Sequence, residues 1–535
     1  MAVTVVVIFL LCFFSTGRGN NQAHHEESYS TTPTRGQPWP MPQKYSVTTK
    51  TYDIDSNNFQ FTASGQTCDI LTKAFARYKT IIFGSQDTKL RFYPNRFNRV
   101  EEGVTGLNVK VQKPCEEYPY LGMDESYELM VPDSSGQATL SSVSVWGALR
   151  GLETFSQLIT GTPGSGYKIN GTTISDSPRF QHRGLLFDTS RHFLGTDVLK
   201  KNLDAMAQSK FNVFHWHIVD DQSFPYVSQA FPQMSQMGAY DQLHLYSPND
   251  VKEIIDYARD RGIRVIPEFD TPGHSQSWGK GITDLLTKCY SKGTPTGTFG
   301  PIDPTVDSTF QFLNEFFTEI KNVFPDKYVH LGGDEVSFSC WQSNPNITEF
   351  MKQQKFGTNY AKLEEYYMQK LIDIMNGLDK GYLIWQEVID NGGKVKADTV
   401  VEVWKGGWQA EMGKVTGLGY QSVLSTCWYL NYISYGSNWN NYYLCEPYNF
   451  NGTEAQKKLV IGGEACMWGE YVDDTNVISR TWPRASVVAE RLWSAQSVND
   501  AKAAAPRLEE HRCRMVRRGF QAESINGPGY CTPEY

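Results

Sequence analysis

The chain reads as an α/β protein in which a (β/α)8 TIM barrel carries the chemistry and a small α/β domain precedes it. Three observations predict this. After "SDSPRF" (175–180), short apolar runs alternate with amphipathic helical patterns. Eight such runs can be counted, as a closed barrel requires. An acid, a base or a large aromatic follows every run, where a barrel places its functional loops.

The eight runs are "GLLFD" (184–188), "NVFHWHI" (212–218), "IRVIPEF" (263–269), "YVHL" (328–331), "YLIW" (382–385), "VVEVW" (400–404), "QSVLS" (421–425) and "LVIGGE" (459–464). Helical patterns such as "DVLKKNLDAMAQSK" and "TFQFLNEFFTEIKNVF" separate them. One helix has a clean start, with Ser247 as N-cap, Pro248 at its first position and Asp250 three residues after the cap. An open doubly wound sheet is the alternative, but no GxGxxG or Walker loop follows any strand. The barrel domain is taken as 179–535. Before it, residues 43–178 mix strand-like "QKYSVTTKTYDI", "GLNVKVQ" and "SYELMV" with helix-like "CDILTKAFARYKTIIF" and "VWGALRGLETFSQLI", and carry no chemical motif.

The N-terminus predicts a route. Residues 2–14 are apolar apart from Thr4, and small residues follow, which fits a signal peptide over 1–19 rather than a membrane span. Residues 20–42 are polar and Pro-containing, and read as a flexible segment. Acceptors for N-glycosylation stand at Asn170, Asn346 and Asn451. Nine cysteines remain once Cys12 leaves with the signal peptide, so at least one thiol stays free. The absence of any CxxC speaks against a zinc ribbon. A net charge of −8 leaves no basic footprint for nucleic acid, and no later stretch is apolar enough to span a bilayer.

The strand ends hold the candidate chemistry. The first gives Asp188 and Arg191; the second His215, His217, Asp220 and Asp221; the third Glu268, Asp270 and His274; the fourth Asp334 and Glu335. Trp follows each of the last four strands: Trp385 with Glu387, Trp404, Trp428 with Tyr429 and Asn431, and Trp468 with Glu470. His215 and His217 share a strand face, and are either half-buried strand residues or an HxH metal pair. Arg191 alone reads as a surface residue, and single Trp residues read as core. The pair Asp334–Glu335 differs, because Gly332 and Gly333 let the chain bend and bring both carboxylates to one side, whereas on a regular strand they would point apart.

Two acids beside a wall of aromatics suit glycoside cleavage, since Trp stacks on the apolar face of a sugar and a carboxylic acid protonates the leaving oxygen. Adjacent residues do not easily reach opposite sides of one glycosidic bond. A substrate that carries its own nucleophile, such as a 2-acetamido sugar, removes that difficulty. Glu335 as the acid is then expected to have a raised pKa.

The motifs "HLGGDEV", "RGLLFDTSRHFL", "FNVFHWHIVDDQSFP", "PEFDTPGHSQSWG" and "GGEACMWGEYVD" closely resemble family 20 glycoside hydrolases, most of all the lysosomal-type β-N-acetylhexosaminidases of animals. The resemblance spans nearly all of the mature chain, including "WGALRGLETFSQL" of the first domain. It implies an exo-acting hydrolase removing terminal N-acetylglucosamine or N-acetylgalactosamine, with no cofactor and no metal. It implies Glu335 as general acid and base, Asp334 on the acetamido group, Tyr429 on the acetamido oxygen, and Trp385, Trp404 and Trp468 around the sugar. Arg191 and Glu470 would hold ring hydroxyls, and Asp220 and His274 would stand behind Glu335. It further implies disulfides Cys68–Cys115, Cys289–Cys340 and Cys513–Cys531, with Cys427, Cys445 and Cys466 unassigned, a homodimer or a heterodimer with a related subunit, and a lysosomal or secreted location. Where relatives carry Asp, or Asn followed by Arg, this chain has Asn431–Tyr432, so no cation is expected beside Asn431 and the choice between neutral and 6-sulfated sugars stays open. Two other readings stand beside this one: a metal-dependent barrel hydrolase using His215, His217 and Asp220, and an inactive carbohydrate-binding relative.

Overall fold

The computed structural model describes residues 33–84, 103–134, 136–162, 166–434 and 436–531; the signal-peptide reading lies outside them. In the first domain the strands Lys44–Ile54, Gln60–Gly65, Gly103–Val111, Tyr127–Val131, Gly136–Ser142, Thr160–Thr162 and Gly166–Asp176 form one mixed sheet. The helices Asp69–Phe83 and Val145–Leu158 bury their apolar residues in its core. Every residue of Val145–Leu158 is buried, although the helix contains Arg150, Glu153 and Gln157. These polar residues face the barrel: the Arg150 guanidinium donates to the carbonyls of Arg261 (3.1 Å) and Gly262 (2.7 Å).

Eight parallel strands close the barrel: His182–Asp188, Val213–Val219, Arg264–Phe269, Tyr328–His330, Gly381–Trp385, Val400–Val403, Gln421–Leu424 and Val460–Met467. Each of the eight apolar runs contains or overlaps one of them. A lower layer of Val213, Ile266, Tyr328, Leu383, Val400, Val423 and Ile461 fills the end where the strands begin. An upper layer of Leu186, Trp385, Tyr429, Cys466 and Trp468 fills the end where they stop. A hairpin, Leu286–Ser291 with Thr294–Ile302, interrupts the barrel rhythm after the third strand and was not legible in the sequence. Cys289–Cys340 ties it to the short helix Ser339–Ser343, just past the fourth strand. Cys68–Cys115 and Cys513–Cys531 are also formed; Cys427 pairs with Cys445, and Cys466 is a buried free thiol. Among the described residues, no helix is long and apolar enough to cross a membrane.

The part of the expected flexible segment that is described, residues 33–42, is packed instead. Trp39 is fully buried, its indole N–H donates to the Ser486 carbonyl (2.8 Å), and Gln157 brackets its backbone on both sides. A polar, Pro-containing stretch reads as a linker, but one large aromatic with a matching slot outweighs that composition.

The two domains share buried charge. Glu125 of the first accepts from Arg150 (2.8 Å), from Arg183 at the start of the barrel (2.6 Å) and from Asn212 (3.1 Å). Glu125→Ala would leave two guanidiniums buried without their carboxylate, a change that costs about 3–5 kcal/mol. Urea unfolding followed by tryptophan fluorescence should show that loss, while Lys252→Ala, which breaks an exposed pair with Asp256, should show none.

Candidate active site

A cavity of about 200 Å³ opens at the end of the barrel where the strands stop. Arg191, His217, Asp220, Asp270, His274, Asp334, Glu335, Trp404, Tyr429, Asn431, Tyr432, Trp468 and Glu470 line it. Seven of the eight strands thus contribute through themselves or the loop that follows. The exception is Trp385. It is 1% exposed and lies beneath the floor, its ring centroid 6.5 Å from Trp404 and 6.1 Å from Trp468. Trp428 is likewise core, fully buried with its N–H on the Tyr442 carbonyl.

The fourth strand stops at His330 because the chain turns through left-handed backbone at Gly332 (φ 70°), Gly333 (φ 94°) and Glu335 (φ 50°). A Cβ on Gly332 would lie 1.7 Å from Asp270 Oδ1, and one on Gly333 would lie 2.5 Å from Val388. Only glycine fits there. The Gly333 N–H donates to Asp270 Oδ1 (2.9 Å), which fixes the bend. As a result Asp334 and Glu335 both approach one nitrogen, His274 Nε2, at 3.9 and 3.6 Å. They occupy one wall of the pocket, as the two glycines predict.

Asp220 stands behind His274. Its Oδ1 takes His274 Nδ1 (3.1 Å) and the Asp221 N–H (2.6 Å), and its Oδ2 takes His217 Nε2 (2.7 Å) and Arg191 Nη2 (2.9 Å). Burial opposes its charge, yet His217, His274 and Arg191 hold the carboxyl below its ordinary range. The network continues inward. His217 Nδ1 meets Glu268 Oε2 (2.5 Å); Glu268 also lies at ion-pair distance from His215 (3.0 Å) and His330 (3.2 Å) and accepts from the Trp385 indole (2.7 Å). His215 Nδ1 reaches Glu464 Oε1 (2.5 Å), which completes an alternating acid–base ladder from the barrel interior to Glu335.

In this ladder both ring nitrogens of His217 face carboxylates, and His215, His217 and Asp220 are all tied into hydrogen bonds. It also sets the charges. Although burial disfavours the imidazolium, Asp220 and Glu335 push His274 far above the ordinary histidine range. The His274 imidazolium in turn lowers Glu335, whose side chain is 58% exposed. The raised pKa expected for Glu335 is therefore not found, because in the open pocket water and His274 both favour its carboxylate. Burial and the Asp334 charge raise Asp270 well above the carboxylate range. Asp334 Oδ1 is buried and has no hydrogen-bond partner within the protein.

The opposite wall is aromatic. Trp404 stacks on Tyr429 (6.2 Å, 22°), and the Trp404 indole donates to Glu387 Oε2 (2.9 Å). Burial, Cys466 and Glu402 keep the Tyr429 phenol protonated. Arg191 is held by Asp188 (3.0 Å) and lies over the Trp468 ring (5.2 Å); taken alone it read as a surface residue, and it is mostly buried. Glu470 is exposed at the rim. Asn431 lines the cavity, and Arg480 donates to its backbone carbonyl (2.7 Å) rather than to its side chain. The sequence showed Asp270 at a strand end without assigning it a role, and treated Tyr432 only as a replaced Arg. The run "EFDTPGH" already carried the signal for Asp270.

A barrel whose strand ends gather an adjacent acid pair, a histidine behind it and facing aromatics defines a carbohydrate-cleaving hydrolase. The sequence agrees: residues 180–496 match the glycosyl hydrolase family 20 catalytic domain, residues 38–158 match the beta-acetyl hexosaminidase like domain, and the chain belongs to glycosyl hydrolase family 20. It is 51% identical to mouse beta-hexosaminidase subunit beta over 94% of both chains, and 50% identical to the human subunit beta over 93% of this chain and 90% of that one. Bovine beta-hexosaminidase subunit alpha is 49% identical over 93% of this chain and 95% of that one. Among solved structures, Flavobacterium johnsoniae chitobiase superposes with a TM-score of 0.79 at 31% identity, over 90% of this chain and 73% of that one.

The ladder predicts a stability optimum in mild acid. Glu464 has its carboxyl lowered from 4.5 to about 2 by His215 and His182 against burial, so its contribution is complete above about 4.5 and is lost as pH falls toward 2. His217 is raised from 6.5 to about 9 by Glu268 and Asp220 against burial, so its contribution is complete below about 6.5 and is lost as pH rises through 9. Burial and the Glu464 charge raise Glu402 from 4.5 to about 7, which favours the fold below 4.5 and withdraws that support as pH climbs to 7. The melting temperature should therefore peak near pH 4.5, falling from there both toward pH 2 and toward pH 7. Glu402→Gln should flatten the decline between pH 5 and 7, as calorimetry across that range would show.

Proposed function

We propose that the protein removes terminal β-linked N-acetylhexosamine residues with the substrate's own acetamide as nucleophile. The enzyme is a β-N-acetylhexosaminidase, and the family hydrolyses with retention. The observation that carries the mechanism is the shared wall: two carboxylates converging on one imidazole nitrogen are badly placed to flank a glycosidic bond from opposite faces. Glu335 donates its proton to the leaving oxygen and then deprotonates water. Asp334, whose Oδ1 has no partner, accepts from the acetamido N–H and turns its oxygen toward the anomeric carbon. The neutral Tyr429 phenol donates to that oxygen. Trp404 and Trp468 enclose the acetamido group and the ring, with Trp385 supporting both from below. Arg191 and Glu470 hold hydroxyls. Asp220 and His274 set the proton affinity of Glu335. A sugar seated over Glu335 removes water from its exposed face, and desolvation then favours the protonated acid that the open pocket does not.

Composition and relatives support the rest of the setting. An apolar N-terminus, four disulfides and acceptors at Asn170, Asn346 and Asn451 support the secretory route and a lysosomal or extracellular glycoprotein. Asn346 and Asn451 are exposed, and Asn170 is half-buried in a strand. The likeness to two different subunit types supports a homodimer or a heterodimer.

Two measurements test the reading. Glu335→Gln should lower turnover about 10²- to 10⁴-fold on substrates with poor leaving groups, and less with activated aryl groups; equal losses would remove Glu335 as the acid. Asn431→Asp should reduce kcat/KM for a 6-sulfated sugar relative to the neutral one, since two unit charges about 4 Å apart repel by roughly 4 kcal/mol at an effective dielectric near 20, less where solvent screens them. An unchanged ratio would place Asn431 away from the 6-position.

A further inference from the structure

We propose that Tyr432 forms a second, aromatic subsite outside the first-sugar pocket, which takes the apolar face of the next pyranose ring of a neutral β-linked oligosaccharide. The inference rests on the hexosaminidase reading. Tyr432 lines the same cavity as Glu335, yet 67% of it is exposed, unusual for a large aromatic within a site. Its ring lies 5.9 Å from Tyr429 at 25°, and Tyr429 lies 6.2 Å from Trp404 at 22°. Three near-parallel rings therefore run from the pocket wall to the rim, and only the outermost presents an open face to solvent.

The platform is held in place. Its turn is pinned by the Leu430 N–H on the Cys466 carbonyl (2.8 Å), by Arg480 on the Asn431 carbonyl (2.7 Å) and by Arg484 on the Leu430 carbonyl (3.0 Å). All three act on backbone, so the two guanidiniums are spent behind the turn. The rim at residues 432–434, Tyr-Ile-Ser, carries no charge, and Ile433 is also 73% exposed. The charged hydroxyl-binding groups of the pocket, Arg191 and Glu470, come from the first and eighth strands instead. An uncharged ring with one apolar face is the ligand that this rim fits; a sulfated or carboxylated second ring would gain nothing from it.

The test compares kcat/KM for N,N′-diacetylchitobiose with that for methyl β-N-acetylglucosaminide, whose methyl leaving group is too small to stack. The full chain, Tyr432→Phe and Tyr432→Ala would be measured, with sedimentation velocity on each. Tyr432→Ala should lower the disaccharide-to-methyl-glycoside ratio about 3- to 10-fold, the size of one aromatic contact, and Tyr432→Phe should keep it. An unchanged ratio, or an equal loss on both substrates, overturns the subsite. So does an unchanged ratio with an altered sedimentation coefficient, which would assign the ring to a subunit contact. Failure of the unaltered chain to cleave either substrate would overturn the hexosaminidase reading itself, an outcome distinct from a failure of Tyr432 alone.

Discussion

The site depends on one buried carboxylate, that of Asp220. It takes two imidazoles, one guanidinium and one backbone N–H, and so fixes Arg191 and His274 relative to each other. A buried anion with fewer partners would neutralise itself by taking a proton, and the histidine beside it would lose its charge. Here the anion is kept, which keeps His274 charged and its Nε2 directed at the acid pair. The same logic recurs one layer down at Glu268, which collects three histidines and an indole. Mainly aliphatic residues fill the start of the barrel and a charge-balanced lattice fills its middle, so the pocket floor is held by electrostatic as well as steric contacts.

The first domain is joined to this lattice by similar means. Glu125 binds Arg150 of its own domain and Arg183 of the first barrel strand. Lys210, just before the second strand, donates to Asp176 (3.0 Å) at the end of the first domain's last strand. Both connections enter at the barrel end opposite the pocket. Through them the small domain closes the base of the strands that carry the chemistry.

Much of this was legible in the sequence because each feature had a local signature. Eight apolar runs with polar ends define the barrel, and "GGDE" contains both the reason for the bend and the groups it presents. The packed Trp39 segment was not legible, since its burial depends on Ser486 and Gln157, far away in sequence. The hairpin after the third strand reads as polar loop because Thr and Gly dominate it and its outer half is exposed. The state of Glu335 is not legible for a physical reason: an aromatic-walled pocket suggests desolvation, but the carboxyl stands on the open side, next to a cation. Trp385 carries the same lesson, since a Trp at a strand end gives no sign of whether it lines a floor or supports one.

Cys466 offers a way to watch the barrel itself. Among the described residues it is the one cysteine outside a disulfide, it has no exposed surface, and burial and neighbouring carboxylates hold its thiol protonated. A thiol reagent has nothing to attack while the floor beneath Tyr429 is closed. Its labelling rate in native buffer thus becomes a clock for excursions in which the seventh and eighth strands part, read at a single atom of an otherwise oxidised chain.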